Sequence, residues 1–358
     1  MPSSTRWVES LSPWPTDGFG LDRIHALLAE LGDPQRRYPA VHVVGTNGKS
    51  TTTRLTEALL TDAGLAVGAY YSPHVRSWSE RIRIRGEEAD FEGAIAAVRG
   101  AAERMDATQF ETLTAAALSA FAEAEIEVAV VEAGLGGRHD ATNVLDARVV
   151  VLTNVALEHT DVLGDTREAI AAEKLAVVKP GATVVLSEEE WKPLVQGNEV
   201  TVTAPSNLAL AIAAAEAFLG RPVDGHAAAT VSLPGRLEHR SENPLEIWDG
   251  AHNLAGVGYL LPRLPDREFV VVASILRDKR PEMMLEALSV LGGMLIATQS
   301  RNGRSVPAEE LAGIGRRFFD RVEVETDPRA ARVRALGTGD AVLVTGSLYL
   351  LTELHGHG

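Results

Sequence analysis

The amino-acid sequence predicts an α/β protein with two domains, the larger of which holds a mostly parallel sheet. Short apolar runs alternate with longer segments of helical periodicity, a pattern typical of parallel sheets covered by helices. The runs at 128–131 and 149–152 are dense in β-branched residues, as expected of strands buried on both faces. A length of 358 residues with 45% apolar residues is sufficient for two domains with cores of their own.

The first predicted domain, residues 1–232, alternates helices and strands. In 21–31 leucine and isoleucine recur every three or four residues, which indicates one apolar helix face. Pro180 and Gly181 end the helix before the last strand. Strands are predicted at 41–44, 66–71, 81–85 (at an edge), 128–131, 149–152 and 182–186. Helices are predicted at 21–31, 50–63, 110–124, 166–178 and 207–219.

The second predicted domain, residues 233–358, follows a linker at 232–235 that contains a proline and a glycine. A second alternation of apolar runs and helical periods fills about 125 residues, close to a common domain size. Strands are predicted at 245–248, 269–273, 294–298, 321–324 and 341–344, with 245–248 as the first. Helices are predicted at 254–264, 281–291, 308–317 and 329–336.

Composition and charge exclude several classes of function. The 34 basic residues against 49 acidic ones give a net charge of −15, which disfavours binding to nucleic acid or to an anionic membrane. Cysteine is absent, so disulfides, thiolate metal sites and cysteine nucleophiles are excluded. We find neither a signal peptide nor a run of 18 apolar residues, and we expect a cytoplasmic protein.

The strongest local signal is the sequence GTNGKST at 45–51, which lies between a predicted strand and a predicted helix. Glycines let backbone N–H groups close around phosphate oxygens, and the helix N-terminus adds partial positive charge. Lys49 can reach the β- and γ-phosphates, and Ser50 can ligate Mg²⁺. The spacing is shorter than in the standard loop, whose first glycine would fall at Val43. A glycine-containing turn without a ligand is the alternative.

Polar residues beyond this loop also lie near predicted strand ends. Glu132 ends one strand and His159 follows another, so the two could share a hard cation such as Mg²⁺ or Mn²⁺. Lys174, judged from its helix alone, would be a solvated lysine. In the second domain, DGAHN at 249–253 follows a strand, and Asn253 could also cap the next helix. Arg236 could contact a phosphate or pair with an acid.

Together these motifs resemble the folylpolyglutamate synthases and dihydrofolate synthases, a branch of the Mur ligase superfamily. The resemblance covers nearly the whole chain in the expected order. The matching segments are FGLDRI at 19–24, GTNGKST at 45–51, YSPH at 71–74, ERIRI at 80–84, FETLT at 110–114, VEAGLGGRHDATN at 131–143, EHTDVLG at 158–164, EK at 173–174, LPGR at 233–236, DGAHN at 249–253, DK at 278–279 and TGSLY at 345–349.

The resemblance implies a P-loop ATPase domain followed by a smaller Mur-ligase-type domain. ATP would convert a carboxylate to an acyl phosphate, which the amine of L-glutamate attacks. The nucleotide would be bound by Thr46, Asn47, Gly48, Lys49, Ser50, Thr51, Asn207, Arg236 and Asp249. Mg²⁺ at two sites, or Mn²⁺, would be ligated by Ser50, Ser72, Glu132, His159 and a carbamylated Lys174. Dihydropteroate or a reduced folate would be bound by Phe19, Gly20, Thr108, Phe110, Glu111, Arg138, His139, Asp140 and Ala141, and glutamate would be handled by His252 and Ser347. The catalytic residues would be Lys49, Lys174, Arg236 and His252.

Three departures from the family pattern bear on substrate preference. Ser50 follows Lys49 directly, where many members have a glycine between them, and His139 replaces a common leucine. The stretch 182–207 is short, because it lacks much of an insertion that is common in the family. Another Mur-type ligase that acts on a different carboxylate stays an alternative, although 44 residues before Gly45 are too few for a UDP-sugar domain. A non-catalytic nucleotide-binding module is the other alternative. We expect a monomer with small-molecule substrates.

Overall fold

The computed structural model describes residues 3–15 and 18–356, and the chain divides into two compact units. The first unit comprises Met1–His74 and Trp78–Val231. The second comprises Ser232–Gly358 together with the short segment Val75–Ser77. Each unit has its own sheet and its own hydrophobic clusters.

The sheet of the first unit has eight strands within the described residues, and six of them run parallel. The strands are β1 (Ala40–Val44), β2 (Val67–Tyr70), β3 (Ile82–Ile84), β4 (Glu87–Glu88), β5 (Val128–Glu132), β6 (Ala147–Leu152), β7 (Thr183–Leu186) and β8 (Glu199–Val202). Their order is β4-β3-β2-β5-β1-β6-β7-β8. Only β3 and β4 are antiparallel to their neighbours. The mostly parallel sheet is therefore confirmed, but the segment at 81–85 is not the edge, because β4 lies outside it.

Helices cover this sheet on both faces. They are α1 (Ser4–Ser10), α2 (Asp22–Glu30), α3 (Lys49–Asp62), α4 (Phe91–Arg104), α5 (Gln109–Glu123), α6 (Thr160–Leu163), α7 (Arg167–Leu175), α8 (Asn207–Leu219) and α9 (His226–Ala229). Short 3-10 helices occur at Pro34–Arg36, Trp78–Arg81, Ala141–Val144 and Glu189–Val195. The five predicted helices correspond to α2, α3, α5, α7 and α8, whereas α4 and β8 are among the elements not predicted.

Alternating side chains of the central strands divide the core of this unit into two layers. Val130 packs in the cluster that contains residues of α3 and α8, and Val131 packs in the cluster that contains residues of α5. This division follows from the two-residue period of a strand. Because the central strands are parallel, their carboxyl ends lie along one edge of the sheet, where ligands bind in open α/β sheets.

The second unit is a six-stranded sheet flanked by helices. Its strands are β9 (Glu238–Glu242), β10 (Leu245–Trp248), β11 (Phe269–Ala273), β12 (Met294–Ala297), β13 (Arg321–Val324) and β14 (Ala341–Thr345), in the order β13-β12-β11-β14-β10-β9. Its helices are α10 (Leu254–Leu260), α11 (Pro281–Leu288), α12 (Ala308–Gly315), α13 (Pro328–Leu336) and α14 (Leu348–His355), with 3-10 turns at Leu261–Arg263, Arg277–Lys279 and Ser289–Leu291.

One prediction for this unit was wrong. The first strand of the second sheet is β9 and not 245–248, which is β10. Strand β9 pairs antiparallel with β10 and is mostly exposed, so it has no apolar alternation to reveal it. Within residues 3–15 and 18–356, the helices lack the combination of length and hydropathy that a transmembrane span requires.

Candidate active site

The turn between β1 and α3 is held in shape by the segment that follows β6. The backbone oxygen of Asn154 accepts a hydrogen bond from Thr46 N at 3.0 Å, and its side-chain Oδ1 accepts one from Asn47 N at 3.0 Å. Thr153 Oγ1 donates to Asn47 O at 2.7 Å. A Cβ on Gly48 (φ 82°) would lie 2.4 Å from Asn207 Oδ1, which places Asn207 against this turn.

Helix α3 begins at Lys49 without a side-chain cap. The N–H groups of its first turn have no partner within the helix and carry partial positive charge. These groups, rather than the N–H groups of Thr46 and Asn47, are the ones that can face an anion in this conformation. Thr51 lies in the same turn.

Two lysine amines meet at one carbonyl oxygen beside this helix end. Lys49 Nζ donates to Gly45 O at 3.2 Å and to Thr46 O at 3.3 Å, and Lys174 Nζ donates to the same Gly45 O at 2.8 Å. Lys174 is only 4% exposed. Burial lowers its pKa from 10.5 to about 7, and repulsion from Lys49 adds to the effect. The structure therefore contradicts a solvated Lys174.

Glu132, Ser50 and Ser72 lie together at the carboxyl end of β5. Ser50 Oγ donates to Glu132 Oε1 at 3.1 Å, and the backbone N–H of Ser72 donates to Glu132 Oε2 at 3.0 Å. The carboxylate is 2% exposed. His159, by contrast, directly precedes α6 with φ 50°, and its Nε2 lies 3.8 Å from Glu158 Oε1.

The loop after Glu132 is packed tightly against helix α7. A Cβ on Gly137 would lie 2.4 Å from Lys174 O and 2.7 Å from Glu173 O, so only glycine fits there.

The predicted acceptor-binding residues of this loop differ in exposure. Arg138 pairs with Glu173 (Nε to Oε2, 3.2 Å), and His139 is exposed. Asp140 is buried and accepts hydrogen bonds from Leu135 N and Thr142 N. Ala141, also buried, begins the next 3-10 helix.

Three of the predicted acceptor-binding residues lie at the start of α5. Thr108 and Glu111 are buried and form a capping box, in which Glu111 Oε2 accepts from Thr108 N at 2.8 Å. The box therefore engages both side chains within the fold, and Glu111 Oε2 also lies 3.3 Å from Arg23 Nε. The ring of Phe110 covers Gly134 in the loop after β5, because a Cβ there would lie 2.5 Å from Phe110 Cζ. Phe19, beside Gly20, is half exposed.

In the second unit, Asp249 and Arg236 are neighbours at the carboxyl end of β10. Asp249 accepts hydrogen bonds from Leu237 N and Ala251 N, both at 2.8 Å. Burial raises the pKa of Asp249, and the nearby Arg236 opposes this. Arg236 Nη1 donates to Gly235 O at 3.0 Å and lies over Gly250, where a Cβ would be 2.6 Å away.

The remaining predicted residues of this unit lie at the same edge of the sheet. His252 Nδ1 is 2.9 Å from Gly250 O. Asn253 caps α10 through Gly256 N at 2.7 Å, which confirms the predicted cap. Ser347 is buried and caps α14 through Tyr349 N at 3.1 Å.

Comparison with known proteins identifies the family. Residues 43–215 match the Mur ligase middle domain, and residues 235–348 match the Mur ligase glutamate ligase domain. The chain is 33% identical to the dihydrofolate synthase/folylpolyglutamate synthase of Mycobacterium tuberculosis, an alignment covering 89% of this chain and 82% of that protein. The chain belongs to the dihydrofolate synthase/folylpolyglutamate synthase family. Members of this family are ATP-dependent ligases, and the predicted family and fold class are confirmed.

Two solved structures of the family are similar to this chain over almost its whole length. E. coli FolC in complex with DHPP and ADP has a TM-score of 0.88 and 30% identity, covering 98% of this chain and 96% of that one. A bifunctional folylpolyglutamate synthase/dihydrofolate synthase with Mn, AMPPNP and L-glutamate bound has a TM-score of 0.86 and 30% identity, covering 99% and 97%.

The oxygen donors near the turn between β1 and α3 fit a divalent cation that is bound together with a nucleotide. The described residues contain no cluster of three or more histidine, aspartate or glutamate side chains that could hold a metal alone. A Mg²⁺ ion bound with ATP needs only one or two protein oxygens, since phosphates and water supply the rest. Glu132 and the Ser50 hydroxyl provide such a pair.

Family motifs alone did not reveal the residues that brace this site. Thr153 and Asn154 hold the turn after β1, and the polar dipeptide directly after a buried strand was their only signal in the sequence. Glu188 accepts from Val155 N at 3.0 Å and thereby supports the same segment from the end of β7. No local pattern predicts that contact, because the two residues are far apart along the chain.

Proposed function

We propose that this chain uses ATP to join L-glutamate to dihydropteroate, to a reduced folate, or to both. The observation that carries the proposal is the meeting of Lys49 and Lys174 at Gly45 O, beside the uncapped start of α3. The Lys49 ammonium and the helix N-terminus lie at one point and favour binding of an anion. A triphosphate is such an anion, and membership of a family of ATP-dependent ligases supports ATP in particular.

The reaction would proceed in two steps. An oxygen of the acceptor carboxylate attacks the γ-phosphorus of ATP, which forms an acyl phosphate and releases ADP. The amine of glutamate then attacks the acyl carbon, loses a proton and expels phosphate, which leaves an amide. Lys49 would neutralise charge on the transferred phosphoryl group, and the N–H groups of α3 would orient it. Arg236 would be a second cation for the nucleotide, with Asn207 and Asp249 as further contacts.

Lys174 would act as a carbamate. Formation of a carbamate needs an unprotonated amine, and the burial of Lys174 beside Lys49 favours that form. The modification would place a negative charge beside the Lys49 ammonium. Lys174 could then help to ligate a metal.

Divalent cations would be held by Glu132 and Ser50, with Ser72, His159 and the modified Lys174 as further proposed ligands at two Mg²⁺ sites. Mn²⁺ has the same preference for such donors. When bound, the cation would offset the negative charge of the phosphates. The role of the protein at this point is to hold the Glu132 carboxylate in place, through the hydrogen bonds from Ser50 and Ser72.

The acceptor would lie along the loop 134–141 and the start of α5. The exposed Arg138 and His139 and the ring of Phe110 over Gly134 are side chains that a flat ring there would contact. The half-exposed Phe19 is a further proposed contact. His252 and Ser347 would handle glutamate. Residues 1–232 would thus form the ATP-binding domain and residues 233–358 the glutamate-ligase domain.

Phosphate release and product mass test the proposed function. Purified protein with ATP and Mg²⁺ should release phosphate only when both L-glutamate and a pterin acid are present, and the product should be heavier by one glutamyl residue. Separate reactions with dihydropteroate and with a reduced folate distinguish the two activities. Phosphate release that depends on another acid would favour a different Mur-type ligase. ATP binding without turnover would favour a nucleotide-binding module.

A further inference from the structure

A chain of buried polar groups lies beneath the loop that follows β5. His42, in the strand β1 that leads into the phosphate-type turn, is fully buried, and its Nε2 lies 2.8 Å from Thr142 Oγ1. Thr142 Oγ1 donates to Asp140 Oδ1, which also accepts from Thr142 N at 3.0 Å. Asp140 Oδ2 accepts from Leu135 N at 2.7 Å. None of the predicted site roles uses His42 or Thr142.

The direction of each hydrogen bond follows from counting protons. Burial raises the pKa of Asp140, but the hydrogen bonds from Thr142 and Leu135 favour its ionised form. The single proton of the Thr142 hydroxyl is donated to this carboxylate. The hydroxyl oxygen must therefore accept from His42, which places the imidazole proton on Nε2. His42 Nδ1 then bears a lone pair and has no hydrogen-bond partner among the described residues. A protonated ring would leave a buried N–H unpaired there, which is unfavourable.

The surroundings of His42 keep the ring neutral. Burial lowers its pKa from 6.5 to about 3, and the positive charge of Lys179 acts in the same direction. Lys179 itself donates to Asn143 Oδ1 at 3.0 Å, and Asn143 Nδ2 donates to Arg138 O at 2.9 Å. The neutral donor at Nε2 is therefore available over the physiological pH range.

We propose that His42 is a positioning residue for the acceptor. Its Nε2–H orients the Thr142 hydroxyl, the hydroxyl fixes Asp140, and Asp140 holds Leu135 N–H and thus the shape of residues 134–140. Asp140 would accordingly affect the acceptor through the loop, because both of its carboxylate oxygens accept hydrogen bonds from loop residues. This inference rests on the proposed function in one respect, namely that the loop contacts the acceptor.

Amide hydrogen exchange at Leu135, without substrates, tests the chain independently of catalysis. Replacement of His42 by leucine (His42→Leu) removes the donor, and Thr142→Val removes the hydroxyl at nearly constant volume. Each should speed exchange at Leu135 about tenfold, the effect of one buried hydrogen bond. His42→Gln keeps an N–H at the same number of bonds from Cβ and should stay near the wild type. Thr56→Val, which removes a buried hydroxyl within α3, is the matched control.

Steady-state kinetics of the same variants test the link to the acceptor. His42→Leu and Thr142→Val should raise KM for the pterin acid about tenfold and leave KM for ATP within about twofold. Their effects should not add in the double variant, since both break one chain. ¹⁵N shifts of the wild-type imidazole should report a proton on Nε2 and none on Nδ1.

Distinct results would overturn this inference. Unchanged exchange of the Leu135 amide in Thr142→Val, or equal changes in KM for the pterin acid and for ATP, would mean that His42 is only a core residue. If His42→Leu does not fold, Thr142→Val and His42→Gln still decide the question. If the wild type ligates nothing, the proposed function fails, while the exchange experiment still stands or falls on its own.

Discussion

Replacement of Lys174 by methionine should make the protein more stable and inactive. The lysine amine is buried at 4% exposure, and its pKa of about 7 lies far below the 10.5 of a solvated lysine. The folded state therefore binds fewer protons than the unfolded state between pH 7 and 10.5. Stability of the wild type must rise with pH across this window.

The size of the effect follows from the same two pKa values. Their separation corresponds to roughly 5 kcal/mol of destabilisation at and below neutral pH, which vanishes as pH approaches 10.5. Methionine has a similar volume and no charge, so this penalty is removed. Loss of the hydrogen bond to Gly45 O offsets about 1 kcal/mol. We expect Lys174→Met to be more stable than the wild type by roughly 2–4 kcal/mol at pH 6.5.

Denaturant unfolding of both proteins at pH 6.5, 8 and 9.5, in buffer free of carbon dioxide, measures the difference. The stability gap should narrow as pH rises. In a separate assay with bicarbonate present, ligase turnover of the variant should fall at least about 100-fold. Lys192→Met, at a side chain that is 44% exposed, should change neither quantity. A Lys174→Met protein that is less stable than the wild type at pH 6.5, or that retains full activity, would refute the reasoning.

Three further variants test other parts of the site. Lys49→Ala should lower turnover at least about 100-fold with the fold intact, and an unchanged rate would remove its phosphate role. Gly137→Ala places a Cβ 2.4 Å from Lys174 O, so α7 must move by about 1 Å and kcat/KM should fall about 100-fold, whereas Gly313→Ala, with nothing within 4 Å, should be silent. If the Gly137→Ala variant keeps its activity, the loop after β5 is not rigid. His139→Leu should change KM for the pterin acid more than KM for ATP, and equal changes would argue against contact with the acceptor.

The sequence predicts those elements whose composition and apolar periodicity indicate that they are buried. Strands β1, β5 and β11 are dense in valine, and α8 is rich in alanine, so period and composition locate each of them closely. Strand β9 was missed because its residues are polar and mostly exposed, and its existence depends on pairing with β10. Pairing across a sheet leaves no local trace.

Site residues follow the same rule. The turn at 45–51 is visible in the sequence because its chemistry needs glycine, lysine and serine at adjacent positions. The burial of Lys174 cannot be predicted from the sequence of α7 alone. Nothing in that sequence indicates that Gly137 packs against the backbone of Lys174. Likewise Thr108 and Glu111 match an acceptor motif, yet the structure engages both in a capping box. Which side chains remain available to a ligand depends on such contacts.

Oxygen transfer from the acceptor to phosphate most directly tests formation of an acyl phosphate. A pterin acid labelled with ¹⁸O in its carboxylate is incubated with the protein, ATP, Mg²⁺ and L-glutamate, and the released phosphate is analysed by mass. One labelled oxygen should appear in each phosphate that accompanies amide formation, because the carboxylate oxygen that attacks the γ-phosphorus leaves with it. Phosphate without label, alongside a labelled acceptor that is unchanged, would contradict the mechanism and leave only ATP hydrolysis.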